Sequence, residues 1–94
     1  MAFVVKVVNG KVVEYENGFQ RKTYGSNVVD ADTDGHIVAT VTRDGKIVEY
    51  ENGFQRKTYG SNVVRVQISG GRVIATTANG KMVEYENGFQ RRTY

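Results

Sequence analysis

The apolar residues of this chain fall in short runs between glycine-containing turns, and most of them are β-branched. Valine, isoleucine, threonine and tyrosine dominate the runs, and these residues favour strands over helices. Asn-Gly, Asp-Gly and Gly-Gly pairs tolerate positive φ at both central positions of a type I′ turn, which joins antiparallel strands in tight hairpins. Such pairs lie between the runs at Asn9-Gly10, Asn17-Gly18, Asp34-Gly35, Asp44-Gly45, Asn52-Gly53, Gly70-Gly71, Asn79-Gly80 and Asn87-Gly88. The pattern predicts an all-β, antiparallel chain of hairpins and excludes helices.

The runs recur with a period of 35 residues. The string GKVVEYENGFQRKTYGSNVV begins at Gly10 and returns from Gly45 with one change, and a third, shorter copy begins at Gly80. A period of this size is typical of repeat proteins, in which one supersecondary unit cannot bury its apolar face alone and stacks on its neighbours. Because identical repeats invite register slips, we expect the segments that differ, 30–43 and 65–78, to determine the register.

Two junctions lack a two-residue turn and divide the strands into groups: Gly25-Ser26-Asn27 and Gly60-Ser61-Asn62. Full groups of four strands are predicted at 28–32, 36–42, 46–51 and 54–59, and at 63–68, 72–77, 81–86 and 89–94. The first group has only three, at 3–8, 11–16 and 19–24, because the 35-residue offset places Met1 where His36 lies. We therefore divide one domain, residues 1–94, into an incomplete blade at 1–24 and complete blades at 25–59 and 60–94.

Three hairpins followed by a longer link are the connectivity of a β-propeller, in which the outermost strand of one blade leads to the innermost strand of the next. The link must cross roughly 14 Å, and four extended residues cover about 13 Å. The alternatives are a continuous β-meander barrel and an open curved sheet. Fewer than three blades cannot close a ring, so we expect homo-oligomerisation, with a dimer and a six-bladed ring favoured. Another chain could also supply the missing strand by strand addition.

These tandem four-strand repeats resemble β-propellers of the broad WD40 and NHL-like class, over the whole chain. The Gly-His and Trp-Asp signatures of WD40 blades are absent from the sequence. The layout is similar to lectins whose short two-blade chains form six-bladed rings, and the near-identity of the repeats is similar to that of phage structural proteins and designed proteins. The resemblance implies a ring-like propeller, and it implies carbohydrate binding as an alternative function.

Length and composition narrow the class of protein. Ninety-four residues make one small domain at most, and a net charge of +3 favours acidic partners only mildly. Without cysteine the chain has no disulfide and no thiolate metal site. The first residues do not read as a secretory signal, and no run approaches transmembrane length. We therefore expect no membrane association, and the sequence leaves the localisation open.

The candidate metal site is the run Asp30, Asp32 and Asp34 before Gly35. Carboxylates at alternate positions followed by glycine resemble the start of a calcium loop, and calcium prefers several hard oxygen ligands. Val38 and Val41 stand where the later carboxylates of such a loop would lie. The alternative is a hairpin with solvated aspartates on one strand face. Calcium is the one cofactor that the sequence suggests.

The candidate polyanion site is a pair of basic residues on each predicted outer strand: Arg21 and Lys22, Arg56 and Lys57, Arg91 and Arg92. Around a ring these residues would form a basic rim able to contact nucleic acid or another polyanion. Strict alternation places Phe19, Arg21 and Thr23 on one face and Gln20, Lys22 and Tyr24 on the other. The alternative is protection of an exposed edge strand, with Glu14, Glu16 and their repeats pairing with the basic side chains.

Two aromatic residues recur in each repeat, and we expect both to lie in the core between blades, with a ligand cage as the alternative. They are Tyr15, Tyr50 and Tyr85, and Phe19, Phe54 and Phe89.

Nothing in the sequence indicates catalysis. His36 is the only histidine, and the three serines, Ser26, Ser61 and Ser69, lie in glycine-rich turns. The sequence predicts a non-enzymatic structural or interaction protein that self-assembles, in a phage particle or as an engineered scaffold. The alternatives are a propeller that binds calcium or a carbohydrate, and a polyanion-binding module.

Overall fold

The computed structural model describes residues 3–94, and their strands form three antiparallel sheets. Sheet 1 contains β1 (Val4–Val8), β2 (Lys11–Glu16) and β3 (Phe19–Tyr24). Sheet 2 contains β4 (Val28–Thr33), β5 (Ile37–Thr42), β6 (Ile47–Glu51) and β7 (Phe54–Tyr59). Sheet 3 contains β8 (Val63–Ser69), β9 (Arg72–Thr77), β10 (Met82–Glu86) and β11 (Phe89–Thr93). A helix long and apolar enough to span a membrane is absent from the described range.

The strands of each sheet pair in chain order, so every sheet is a meander. The predicted all-β class with antiparallel, blade-like sheets is confirmed, and each strand ends within one residue of its predicted position. The alignment of Met1 with His36 lies outside the described residues. Within the described residues, β1 matches β5 at an offset of 34 residues and not 35. Val5 pairs with Glu14, and Ala39 pairs with Glu49, the counterpart of Glu14 in the next repeat (39 − 5 = 34).

The hairpin turns explain this offset. Asn9, Asn17, Asn52 and Asn87 all have positive φ beside a glycine of positive φ, as type I′ turns require. At Asp34-Gly35, Asp44-Gly45 and Asn79-Gly80 only the glycine has positive φ, so the prediction of type I′ turns was wrong there. At two of these turns a threonine is the cause: the hydroxyls of Thr42 and Thr77 donate to Asp44 and Asn79, which closes a longer loop.

Apolar residues are buried in two clusters, one at each junction between sheets. Sheets 1 and 2 bury Val12, Val28, Val38, Val48 and Tyr50. Sheets 2 and 3 bury Ala39, Val41, Ile47, Val63, Val66, Ile68, Val73, Ala75, Val83 and Tyr85. Only sheet 2 has a neighbour on both faces, and it supplies residues to both clusters.

The expectation that the repeated phenylalanines lie in the core was wrong. Phe19, Phe54 and Phe89 are 78%, 74% and 73% exposed. Each follows a turn glycine directly and begins an outer strand, which places its side chain at the rim of its sheet and not between sheets.

The links between sheets are held by backbone hydrogen bonds to the hairpins that they cross. The amide of Val28 donates to the carbonyl of Gly10 at 2.9 Å, and the amide of Val63 donates to that of Gly45 at 3.1 Å. The second link passes so close that a Cβ on Gly45 would lie 3.0 Å from the backbone nitrogen of Asn62. The close approach therefore needs glycine at position 45.

Replacing Gly45 with alanine should lower the free energy of unfolding more than replacing Gly80. Both glycines have a φ of +86°, so the strain of a left-handed alanine, about 1 kcal/mol, is common to the two variants. A Cβ on Gly80 meets nothing within 4 Å. We expect an additional loss of about 1–3 kcal/mol for Gly45→Ala, measured by urea unfolding. Equal losses would contradict the close contact with the link.

Candidate functional site

The three predicted metal-binding aspartates lie at the junction of sheets 2 and 3. Asp30 and Asp32 each accept a hydrogen bond from an amide of β8: Asp30 from Val66 at 3.0 Å and Asp32 from Ile68 at 2.9 Å. Because side chains alternate along a strand, the two carboxylates point to the same side of β4. The amides belong to the edge of β8 that has no strand partner, and buried amides need an acceptor. The carboxylates thus join the inner strands of two sheets.

Asp34 completes this row, which we call the aspartate ladder (Asp30, Asp32 and Asp34). Its Oδ2 accepts from the amide of Gly71 at 3.0 Å, and its Oδ1 accepts from the amides of His36 and Ile37 within its own turn. Burial alone would raise the pKa of Asp34, but the amide donors outweigh it and hold the pKa below its usual 3.8. Asp34 is therefore ionised at neutral pH, and it couples the β4–β5 turn to sheet 3.

The ladder occurs once in the described residues. At the matching positions of β8 stand Arg65, Gln67 and Ser69, none of which is a carboxylate. Among residues 3–94 no three acidic, histidine or cysteine side chains are grouped so as to hold a metal ion. Calcium binding by Asp30, Asp32 and Asp34 stays a prediction, and any ion would compete with the amides that these carboxylates already bind.

The basic residues of the outer strands lie beside glutamates of the adjacent strand. Arg21 lies within 3.2 Å of Glu14 and 2.9 Å of Glu16. Arg56 and Arg91 make the ion pairs that correspond to Arg21 with Glu16, namely with Glu51 and Glu86, and Arg92, the counterpart of Lys22, pairs with Glu84. These pairs reduce the charge that a polyanion would meet, and polyanion binding at these positions stays a prediction.

A bulge in each outer hairpin explains how these arginines reach the glutamates. In sheet 1, Glu14 is opposite Lys22 while Tyr15 is opposite Gln20, so Arg21 is the extra residue. Sheets 2 and 3 have the same irregularity. The prediction of strict alternation was therefore wrong: the bulge moves Gln20 away from the face of Lys22 and Tyr24.

A tyrosine at the end of β3 and of β7, and directly after β11, binds a buried glutamate of its own sheet. The hydroxyls of Tyr24, Tyr59 and Tyr94 donate to Glu14, Glu49 and Glu84, respectively. The pKa of Tyr24 and the pKa of Tyr59 are raised above the ordinary value. Burial is the larger cause, and the hydrogen bond to a carboxylate is the second. Tyr24 and Tyr59 are therefore neutral and held in one orientation, facing the next sheet.

Tyr24 and Tyr59, which each face a following sheet, make the same contacts with that sheet. The ring of Tyr24 lies 4.7 Å from that of Tyr50, and the ring of Tyr59 lies 4.8 Å from that of Tyr85. The ring of Tyr24 also packs on Gly53, the turn glycine three residues after Tyr50, beside the aliphatic part of Lys22. The ring of Tyr59 packs in the same way on Gly88, beside the aliphatic part of Lys57. We call this arrangement the tyrosine clasp. The prediction of core packing is correct for Tyr50 and Tyr85, which are buried.

The outermost sheets each leave one face uncovered in the chain. The head face is the side of sheet 1 turned away from sheet 2, and it carries Val4, Lys6, Val13 and Tyr15. The tail face is the side of sheet 3 turned away from sheet 2, and it carries Ile74, Met82 and Tyr94. A shallow, mainly apolar depression lies on the head face, lined by Phe3, Val4, Lys6, Tyr15, Asn17 and Gly18.

Comparisons with known proteins agree with this architecture. A family model described as Helicobacter pylori IceA2 protein matches residues 1–48 and 43–94, and it is unrelated to the WD40 and NHL-like class. BamB from Moraxella catarrhalis, a β-propeller protein, superposes with a TM-score of 0.77 at 22% identity. The match covers 97% of this chain and 32% of the BamB chain, so this chain spans about a third of that protein. No curated protein matches. The likeness to BamB confirms a β-propeller-like fold.

Replacing Asp32 with alanine should lower the free energy of unfolding by about 1–3 kcal/mol, because the amide of Ile68 then loses its acceptor. Asp32→Asn keeps an acceptor oxygen at the same place and should cost less. Gln67→Ala is the matched control, since Gln67 holds the corresponding position of β8 and is exposed. Thermal unfolding measures all three variants. An Asp32→Ala protein as stable as Gln67→Ala would contradict the role of the ladder.

Proposed function

The chain belongs to the IceA2 family, and on that premise we propose that it is a non-enzymatic structural or interaction protein that assembles with copies of itself into a ring-like β-propeller. One observation carries this proposal. The head and tail faces expose Val4, Met82 and Tyr94, whose counterparts at the two internal junctions are buried or half-buried. Exposed apolar faces of this kind mark interaction sites in soluble proteins.

Burial along the chain supports self-association. Sheet 2, which lies between two neighbours, holds Val38, Ala39, Val41 and Ile47, all essentially inaccessible to solvent. The outer sheets contain residues of the same kind at matching positions, and there the open face remains in contact with water. In repeat proteins a unit gains much of its stability from the interface with its neighbour, so a further copy is the natural cover for these faces.

Two copies would supply six sheets, which lies within the range of about four to eight blades that propellers use. A contact between two different faces forms a closed ring when the rotation between copies closes, and an open filament when it does not. We favour the ring of two chains. Sheet 1 would remain three-stranded in that ring unless a strand of another chain added to the free edge of β1.

A structural role also agrees with the surroundings of the single histidine. His36 is exposed at the start of β5, and its Nε2 lies 2.8 Å from Glu51. That contact ties a turn to the neighbouring strand. A place in a phage particle, or an origin as an engineered scaffold, stays a hypothesis that rests on the near-identity of the repeats.

Sedimentation equilibrium of the purified chain tests the proposal directly. We expect a discrete species with twice the mass of one chain, which dissociates on dilution. A chain that stays monomeric at every concentration would contradict self-assembly. Filaments of undefined length would contradict the closed ring.

A further inference from the structure

Each internal junction is built from two different halves. The preceding sheet supplies a tyrosine at the end of its outer strand and an apolar residue near the start of the strand beside it. These are Tyr24 with Val12 at the first junction, and Tyr59 with Ile47 at the second. The following sheet supplies a tyrosine, a turn glycine and a valine: Tyr50, Gly53 and Val38, then Tyr85, Gly88 and Val73.

The head face carries the residues that a following sheet supplies at an internal junction, but no preceding sheet of the described residues packs on it. Tyr15 and Gly18 match Tyr50 and Gly53 in the repeat, but nothing lies within 4 Å of a Cβ built on Gly18. With the one-residue offset of β1, Val4 takes the place of Val38 and Val73. Those two valines are each 1% exposed, whereas Val4 is 64% exposed. The depression between Val4, Tyr15 and Gly18 therefore lies where a tyrosine of a preceding sheet would pack.

The tail face carries the residues that a preceding sheet supplies at an internal junction, but no following sheet of the described residues packs on it. Met82 takes the place of Val12 and Ile47, which are fully buried, yet Met82 is 41% exposed. Tyr94 is exposed although its hydroxyl donates to Glu84, as the hydroxyls of Tyr24 and Tyr59 donate to their glutamates. The tail tyrosine is thus already oriented for a clasp.

Resting on the proposed self-assembly, we propose that a second copy of this chain binds head to tail, with Tyr94 and Met82 of one copy on Tyr15, Gly18 and Val4 of the next. The new junction forms a third tyrosine clasp. Because both faces are present on every copy, the contact is heterologous, and two copies close by forming it twice.

One residue of the head face departs from the internal pattern. Lys6 occupies the position of Thr40 and Ala75, which are fully buried at the internal junctions. Burying an ammonium group is costly, although a lysine can extend its charged end towards the rim. Lys6 therefore weakens the junction, and this keeps the contact between copies looser than the contacts within a chain.

Paired variants test the head-to-tail contact. Val4→Asp blocks only the head face and Met82→Asp blocks only the tail face. Both side chains are exposed in the single chain, so each variant should fold, which circular dichroism verifies. We expect each variant alone to dissociate at a concentration about tenfold or more above that of the wild type. An equimolar mixture should form a one-to-one dimer, because one intact head and one intact tail remain.

Three further arms complete the experiment. Phe89→Asp is the matched control, because its counterparts Phe19 and Phe54 stay exposed at both internal junctions, and it should assemble like the wild type. Tyr94→Ala should mimic Met82→Asp. Lys6→Thr should tighten assembly.

Each contrary result has a distinct meaning. If the wild type assembles and Val4→Asp and Met82→Asp assemble equally well, the head-to-tail contact is wrong while self-assembly stands. If only the tail variant dissociates, the contact is between two tail faces and the inference is overturned. If the mixture of blocked variants stays monomeric, the two faces are not partners. A monomeric wild type overturns the proposed function itself.

Discussion

The constraint on which this structure depends is that an antiparallel sheet with two apolar faces needs a neighbour on each side. Three sheets in a row provide only two junctions, so the central sheet is covered twice and each outer sheet once. Apart from Lys6, the outer sheets carry apolar residues at the positions that correspond to those buried at the internal junctions. Tyr15 and Tyr94 are the visible consequence, each being half of a contact that is complete elsewhere in the chain. This constraint connects the fold to the proposed function.

Polar contacts between neighbouring sheets add to the apolar packing. The inner strands of neighbouring sheets do not hydrogen-bond as strands, and the aspartate ladder supplies acceptors for the free amides of β8 instead. The ladder lies in one of the two segments in which the repeats differ, and β8 lies in the other. Near-identical repeats can pair out of register, and a contact that only one junction can make opposes this. The aspartates that resemble a calcium loop therefore have a sufficient structural explanation in the junction of sheets 2 and 3.

Features that depend on local residues, such as turns, could be predicted from the sequence, whereas contacts between distant parts of the chain could not. The strands and their ends were predictable because Asn-Gly, Asp-Gly and Gly-Gly pairs mark the turns between them, and the repeat gave the two outermost strands of each sheet three times. The partners of Asp30 and Asp32 were not predictable, because they are backbone amides 36 residues away, and backbone groups leave no mark in a sequence. The bulge at Arg21 breaks the alternation without any glycine to signal it. Phe19 recurs as regularly as Tyr15, so the repeat alone could not separate a rim residue from a clasp residue. The proposed junction between copies became visible only when the exposure of Val4 was compared with that of Val38 and Val73.

The dependence of the thermal unfolding midpoint on protein concentration shows whether the outer faces are covered by other copies. Where the outer faces are covered by other copies, unfolding separates the copies, and mass action makes the midpoint rise with concentration. We expect such a rise over a roughly hundredfold range of protein concentration. A cooperative transition whose midpoint is the same at every concentration would show that one chain is stable with both outer faces in water and does not need a second copy.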